Sequence, residues 1–98
     1  MFATQVNVKK VMGDCAPENS FWLVSGTIVR NLHELANTIE TLNEWNFVYH
    51  CNKEHNDFAN WIRNVFEDPY LADELNKEYS QQGTVDKIRN RLKELERF

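Results

Sequence analysis

Phe58, Trp61, Ile62, Val65 and Phe66 stand at positions i, i+3, i+4, i+7 and i+8. That spacing gathers five large apolar side chains on one face of an α-helix, whereas a strand would divide them between its two faces. A chain with such a segment must bury the face against another element, and the sequence offers several. Asn31 is a good N-cap with Glu34 at the N3 position, a capping-box arrangement with Asn in place of Ser or Thr. Leu32, Leu35, Ala36, Ile39 and Leu42 follow at helical spacing. Asn43 is the expected cap of a second helix that carries Trp45, Phe47, Val48 and Cys51 and ends near Asn52. Lys53-Glu54-His55 is a polar connection, and Asn56 or Asp57 caps the helix of Phe58. Asp68-Pro69 opens a fourth helix with a cap residue and then Pro at the first helical position, burying Leu71, Ala72 and Leu75. Gly83 is expected to break the chain, and Thr84 to cap a last helix with Val85, Ile88, Leu92, Leu95 and Phe98 on its apolar side. Asn occurs twelve times, often where a cap is wanted.

The first thirty residues read differently. From Thr4 to Val11, Val6 and Val8 alternate with Gln5, Asn7 and Lys9, the period of a half-buried strand. Residues 13–20 are rich in Gly, Pro and small polar groups and read as a loop. Phe21-Trp22-Leu23-Val24 is a dense β-prone run, Ser25-Gly26 suits a turn, and Thr27-Ile28-Val29 is a short return. A two-stranded ribbon is marginal alone and must pack on helices. At 98 residues the chain has room for one core. The expectation is therefore a mostly α (α+β) single domain over residues 1–98. Its β-ribbon and loop occupy 1–29, and a bundle of four to five short helices occupies 31–98.

Charge and composition narrow the function classes. Residues 1–83 hold six Lys/Arg against twelve Asp/Glu, and residues 84–98 hold five against three. An acidic body is poorly suited to a phosphate backbone, so nucleic-acid binding would fall to Lys87, Arg89, Arg91 and Lys93 of the last helix, a pattern that more commonly marks a solvated face. No apolar run approaches the roughly 18 residues of a membrane span. The opening MFATQVNVKK has no basic start followed by an apolar stretch, as a secretion signal would. Two cysteines are too few for a disulfide framework and read as reduced buried thiols, so the cytoplasm is the expected compartment.

A set of short motifs runs through the middle of the chain. Phe21 to Gly26 gives F-x-x-x-x-G, and Asn31 to Leu35 gives x-L-x-E-L. Phe47 to His50 gives F-x-x-H, Asn56 to Ile62 gives N-D-F-x-x-W-I, and Asp68 to Ala72 gives D-x-x-L-A. Over roughly residues 21–75 this pattern resembles a family of small prokaryotic domains of unknown function, with N-D-F-x-x-W-I as its most specific part. The resemblance supports the architecture and implies no activity, cofactor or partner.

Three groups of residues are candidates for function. His50, Cys51, His55 and Asp57 lie within eight residues and include metal-ligand types. Their spacing fits no known zinc pattern, and His50 and Cys51, as helical neighbours, point about 100° apart. The simpler reading is that Asp57 caps its helix while His50 hydrogen-bonds to it or to a backbone carbonyl. Adjacency also argues against a Cys51–His50 nucleophile and base, and three isolated glycines build no phosphate loop. The aromatics Trp22, Trp45 and Tyr70 fit a core less well than Phe58 and Trp61 and mark a candidate contact surface. Ile88, Leu92 and Leu95, continuing from Val85, form a short seam that either docks on the chain's own core or pairs with a second copy. The sequence thus points to a non-enzymatic interaction or regulatory module, self-associating, without cofactor or membrane. A His/Asp metal site and a nucleic-acid accessory role are the alternatives.

Overall fold

A computed structural model describes residues 6–98. The fold is mostly α-helical with a small β part. Helix α1 spans Val8–Met12, strands β1 and β2 span Phe21–Trp22 and Ile28–Val29, and helices α2 and α3 span Leu32–Thr41 and Glu44–His50. Helix α4, Asp57–Trp61, runs directly into a π-helical turn over Ile62–Phe66. Helices α5, Pro69–Asn76, and α6, Gln81–Leu95, complete the chain. Among the described residues no helix is long and apolar enough to cross a membrane.

Among the described residues, a side-chain cap starts each of α1 to α6. Asn7, Asn31, Asn43 and Asn56 each accept a backbone N–H three residues on through Oδ1. Asp68 does the same for Leu71 N, and Ser80 Oγ for Gly83 N. The expected strand over Thr4 to Val11 is corrected. Thr4 and Gln5 lie outside the described residues, and Val8–Met12 is helical. Val8, Val11 and Met12 stand at i, i+3 and i+4, and the Asn7 cap nucleates the turn, so helical spacing overrides the short alternation. The last helix also begins earlier than expected. Gly83 lies inside its first turn, because Ser80 and not Thr84 is the cap, and Thr84 is fully buried with its hydroxyl donating to Ser80 O at 2.9 Å. The Glu78 carboxylate, bound by Ser80 Oγ at 2.6 Å, curls so close over Gly83 that a Cβ there would meet it at 2.3 Å.

The β-ribbon is an antiparallel hairpin with Phe21 opposite Val29 and Trp22 opposite Ile28. A three-residue loop joins the strands: Leu23 N donates to Thr27 O, Gly26 N donates to Leu23 O, and Gly26 takes φ +99. This is a tight turn closed by a left-handed residue, which glycine supplies without strain. Phe21 turns inward onto Phe58 and Trp61, with ring centroids 5.6 and 5.4 Å away, and Trp22 turns outward.

The core gathers buried side chains from all six helices and the hairpin, including Val29, Leu35, Phe58, Ile62, Leu75 and Ile88. Helix α6 lies mainly along α2, and α5 fills the space between α4 and α6. Gln81 ties the start of α6 to the end of α2 by donating to Ile39 O at 2.6 Å and Leu42 O at 2.8 Å. The π turn ends at Glu67, which takes a left-handed backbone (φ 56) and pairs with Lys10 at 2.7 Å.

Asp68 and Arg91 form an ion pair deep inside this core, with side chains 0 and 2 % exposed. Arg91 Nε and Nη2 donate to the two carboxylate oxygens at 2.8 and 2.9 Å, while Asp68 Oδ1 also caps α5. Burial works against the Arg91 charge, and the bonds to Asp68 and Glu94 more than offset it, holding the guanidinium above its ordinary value. Removing one partner of such a pair strands a buried charge. Asp68→Ala is expected to cost about 3–5 kcal/mol in urea unfolding; a loss below about 1 kcal/mol would show that the pair does not hold α5 to α6.

Candidate functional site

Helix α3 divides its side chains sharply. Phe47 and His50, three residues apart, face the core, which leaves Trp45, Val48 and Tyr49 on the outer side at i, i+3 and i+4. Trp45 is 86 % exposed, Tyr49 60 % and Val48 46 %. Glu44, Trp45 and Val48 line a concavity of about 230 Å³. The hairpin adds a second apolar surface, since Trp22 and Ile28 are cross-strand partners and both are exposed. Val24, at the hairpin turn, is exposed as well.

His50 joins the two surfaces. Val24 N donates to His50 Nε2 at 2.9 Å, and His50 Nδ1 lies 2.9 Å from Asp57 Oδ2. An acceptor at Nε2 fixes the ring proton on Nδ1, which donates to the carboxylate. The ring is buried and touches Phe21, Tyr49 and Phe58, with centroids 5.3, 5.0 and 5.3 Å away. The expected bond between His50 and Asp57 is therefore present, but the cap of α4 is Asn56. Asn56 is buried, accepts from Ala59 N at 3.0 Å and donates to Leu75 O at 3.0 Å.

The candidate metal residues are not brought together as ligands. Both His50 nitrogens are engaged by protein groups. His55 Nε2 lies 3.1 Å from Tyr49 O and 3.9 Å from Asp57. The buried Cys51 thiol faces Glu78 O at 3.6 Å. Burial, and then the charges of Glu78 and Asp57, push that thiol up, away from the thiolate form that a metal ligand or nucleophile needs. Among the described residues no group of three or more His, Cys, Asp or Glu side chains is arranged to hold a metal ion.

The last helix bears on the alternatives that the sequence left open. Ile88 and Leu95 are fully buried and Leu92 is 3 % exposed, so the seam docks on the chain's own core and presents no surface to a second copy. Three of the four basic residues are committed to internal carboxylates. Lys87 lies 3.9 Å from Glu74 and 3.6 Å from Glu78, and Arg89 makes two bonds to Glu40, at 3.1 and 3.0 Å. Arg91 is buried with Asp68, and Lys93 is exposed. Tyr70, the third candidate aromatic, is 44 % exposed and lies under the Arg91 guanidinium at 4.8 Å, beside a concavity of about 410 Å³. Its ring thus covers one face of the core ion pair.

Two features escaped the sequence reading. Val48, Tyr49, Val24 and Ile28 are as much part of the exposed apolar surface as Trp22 and Trp45. The Asp68–Arg91 pair had a legible signal, since Arg91 falls between Ile88 and Leu95 at helical spacing and so belongs to the inner stripe.

The model of a family of unknown function, DUF5752, matches residues 18–96. The chain belongs to this family. The match takes in the hairpin and helices α2 to α6, and it reaches well past the middle segment on which the sequence resemblance rests. No curated protein and no solved structure matches the chain. For this DUF5752 member, the exposed α3 face and the His50 contact are the features left to read for function.

Two expected outcomes follow from the α6 geometry. Leu92→Asp should unfold the chain at every protein concentration, checked by circular dichroism; a folded variant with only its association altered would restore the intermolecular seam. Glu78 is held below the usual carboxylate range first by the Ser80 hydroxyl and then by the Ser80 N–H, with Lys87 adding to it. A depressed carboxyl stabilises the fold fully above its unfolded value of about 4.3, and the contribution is lost as pH falls through the folded value. Thermal melts of Glu78→Gln should therefore sit below wild type at neutral pH and converge with it in acid.

Proposed function

We propose that this domain is a non-enzymatic interaction module whose contact surface is the outer face of α3, extended by the outer face of the hairpin, and whose partner is a second copy of the chain. The observation that carries the reading is the exposure of Trp45, Val48 and Tyr49 together on one side of a short helix. Burying one large apolar side chain is worth about 1.5–3 kcal/mol, so leaving three in water is a standing drive toward association. Trp45, Val48 and Tyr49 are themselves uncharged, with Glu44 the one α3 carboxylate beside them, and a self-complementary apolar strip suits pairing with its own two-fold image, where each contact occurs twice. The engagement of both His50 nitrogens and the raised Cys51 thiol support a binding role over a catalytic one. Cytoplasmic residence suits the two free, buried cysteines, which remain reduced there.

Sedimentation velocity over a range of concentrations tests the proposal. Wild type should move from 11.6 kDa toward twice that mass as concentration rises. The double variant Trp45→Ser, Val48→Ser should stay at the lower mass with an unchanged melting curve, because both side chains lie outside the core cluster. A wild-type chain that remains monomeric at its solubility limit, or a double variant that still dimerises, would refute the self-association.

A further inference from the structure

The hairpin turn is latched to the helical body through one imidazole. The strand base is secured by packing, since Phe21 lies on Phe58 and Trp61 and both Leu23 and Val29 are buried. The segment preceding it is held by Trp61 Nε1, which donates to Asn19 O at 2.7 Å. Beyond Leu23 the support changes. Val24, Ser25, Gly26 and Thr27 are all exposed. Their one hydrogen bond to a helix among the described residues is Val24 N to His50 Nε2.

That bond exists only while Nε2 keeps its lone pair. A second proton on the ring converts Nε2 from acceptor to donor and sets two N–H groups against each other. We propose that His50 is a proton-operated latch: neutral, it clamps the Val24–Thr27 turn against α3, and doubly protonated, it releases the turn while keeping its bond to Asp57.

The surroundings favour release over collapse of the site. The hairpin residues 21–29 include no charged side chain that could bind the new N–H. On the other side, Asp57 already accepts from Nδ1, and its second oxygen faces His55 Nε2 at 3.9 Å. Tyr49 and Cys51 are the titratable neighbours on or next to the same helix, and Phe58 of α4 adds only an apolar ring. The imidazolium therefore has a partner at Nδ1 and none at Nε2, and the strain falls on the Val24 contact. The latch itself stands whether or not the chain self-associates.

Nuclear magnetic resonance on the full chain tests it. At neutral pH the ring nitrogens of His50 should show the proton on Nδ1 and a free acceptor at Nε2. As the solution is acidified, the Val24 amide should lose its hydrogen-bonded shift in step with protonation of His50, both followed in the same spectra. The protection factor of the Val24 amide, its exchange measured against the intrinsic rate at the same pH, should fall at least tenfold while the Phe58 and Ile88 amides stay protected. Quantities from His55→Gln separate the exposed neighbour: the step must persist in that variant and vanish in His50→Gln, whose amide oxygen has no proton to gain. The opposite tautomer at neutral pH, a Val24 amide indifferent to His50 protonation, loss of the step in His55→Gln, or global unfolding before His50 protonates would each overturn the latch.

Discussion

The arrangement of the last two helices depends on one buried ion pair. Asp68 sits at the corner where the π turn gives way to α5, and its carboxylate does two things at once. It accepts the free N–H of Leu71 in the first turn of α5 and receives both prongs of the Arg91 guanidinium from α6. A single carboxylate thereby fixes the start of one helix and the rotation of another. The geometry is planar and two-pronged, so a lysine at position 91 could not reproduce it. Around this pair the environment is arranged to keep the charge tolerable: Glu94 takes a further guanidinium N–H, and the Tyr70 ring covers the face. Tyr70 is thus exposed because it lids a charged group, and its position says little about binding.

Fixing α6 in this way determines what the rest of the surface is free to do. With Arg91 drawn inward, Ile88, Leu92 and Leu95 are carried into the same groove, and the seam is closed to outside partners. Lys87 and Arg89 turn toward Glu40, Glu74 and Glu78 on neighbouring elements. Of the exposed large apolar side chains, six lie on α3 and the hairpin: Trp22, Val24, Ile28, Trp45, Val48 and Tyr49.

Much of the helical architecture was legible because it rests on local chemistry. The starts of α2, α3, α4 and α5 are written in single residues, Asn31, Asn43, Asn56 and Asp68, each of which closes a bond three residues downstream. The failures share a cause. Residues 8–12 alternate like a strand over too short a stretch for the period to decide, and a cap settles the matter. Gly83 reads as a break, yet it lies inside a helix, where the Glu78 carboxylate folds into the space a Cβ would take, a contact set by a fold in the chain five residues earlier. The candidate site was half legible. Exposure of Trp22 follows from its alternation with Phe21, and the His50–Asp57 bond follows from proximity. The Val24 contact does not, because it joins residues 26 apart.

The capping pattern carries a consequence for how the molecule meets changes of solvent. Four of the six helix starts are closed by asparagine, a neutral amide that neither gains nor loses a proton and feels little screening from salt. Several links between helices are of the other kind, carboxylates paired with lysine and arginine. Acid therefore reaches these joints while leaving the asparagine caps chemically unchanged. Helices of five to fifteen residues are too short to stand alone, so a cap alone does not preserve them, and loss of the joints takes the helices with it.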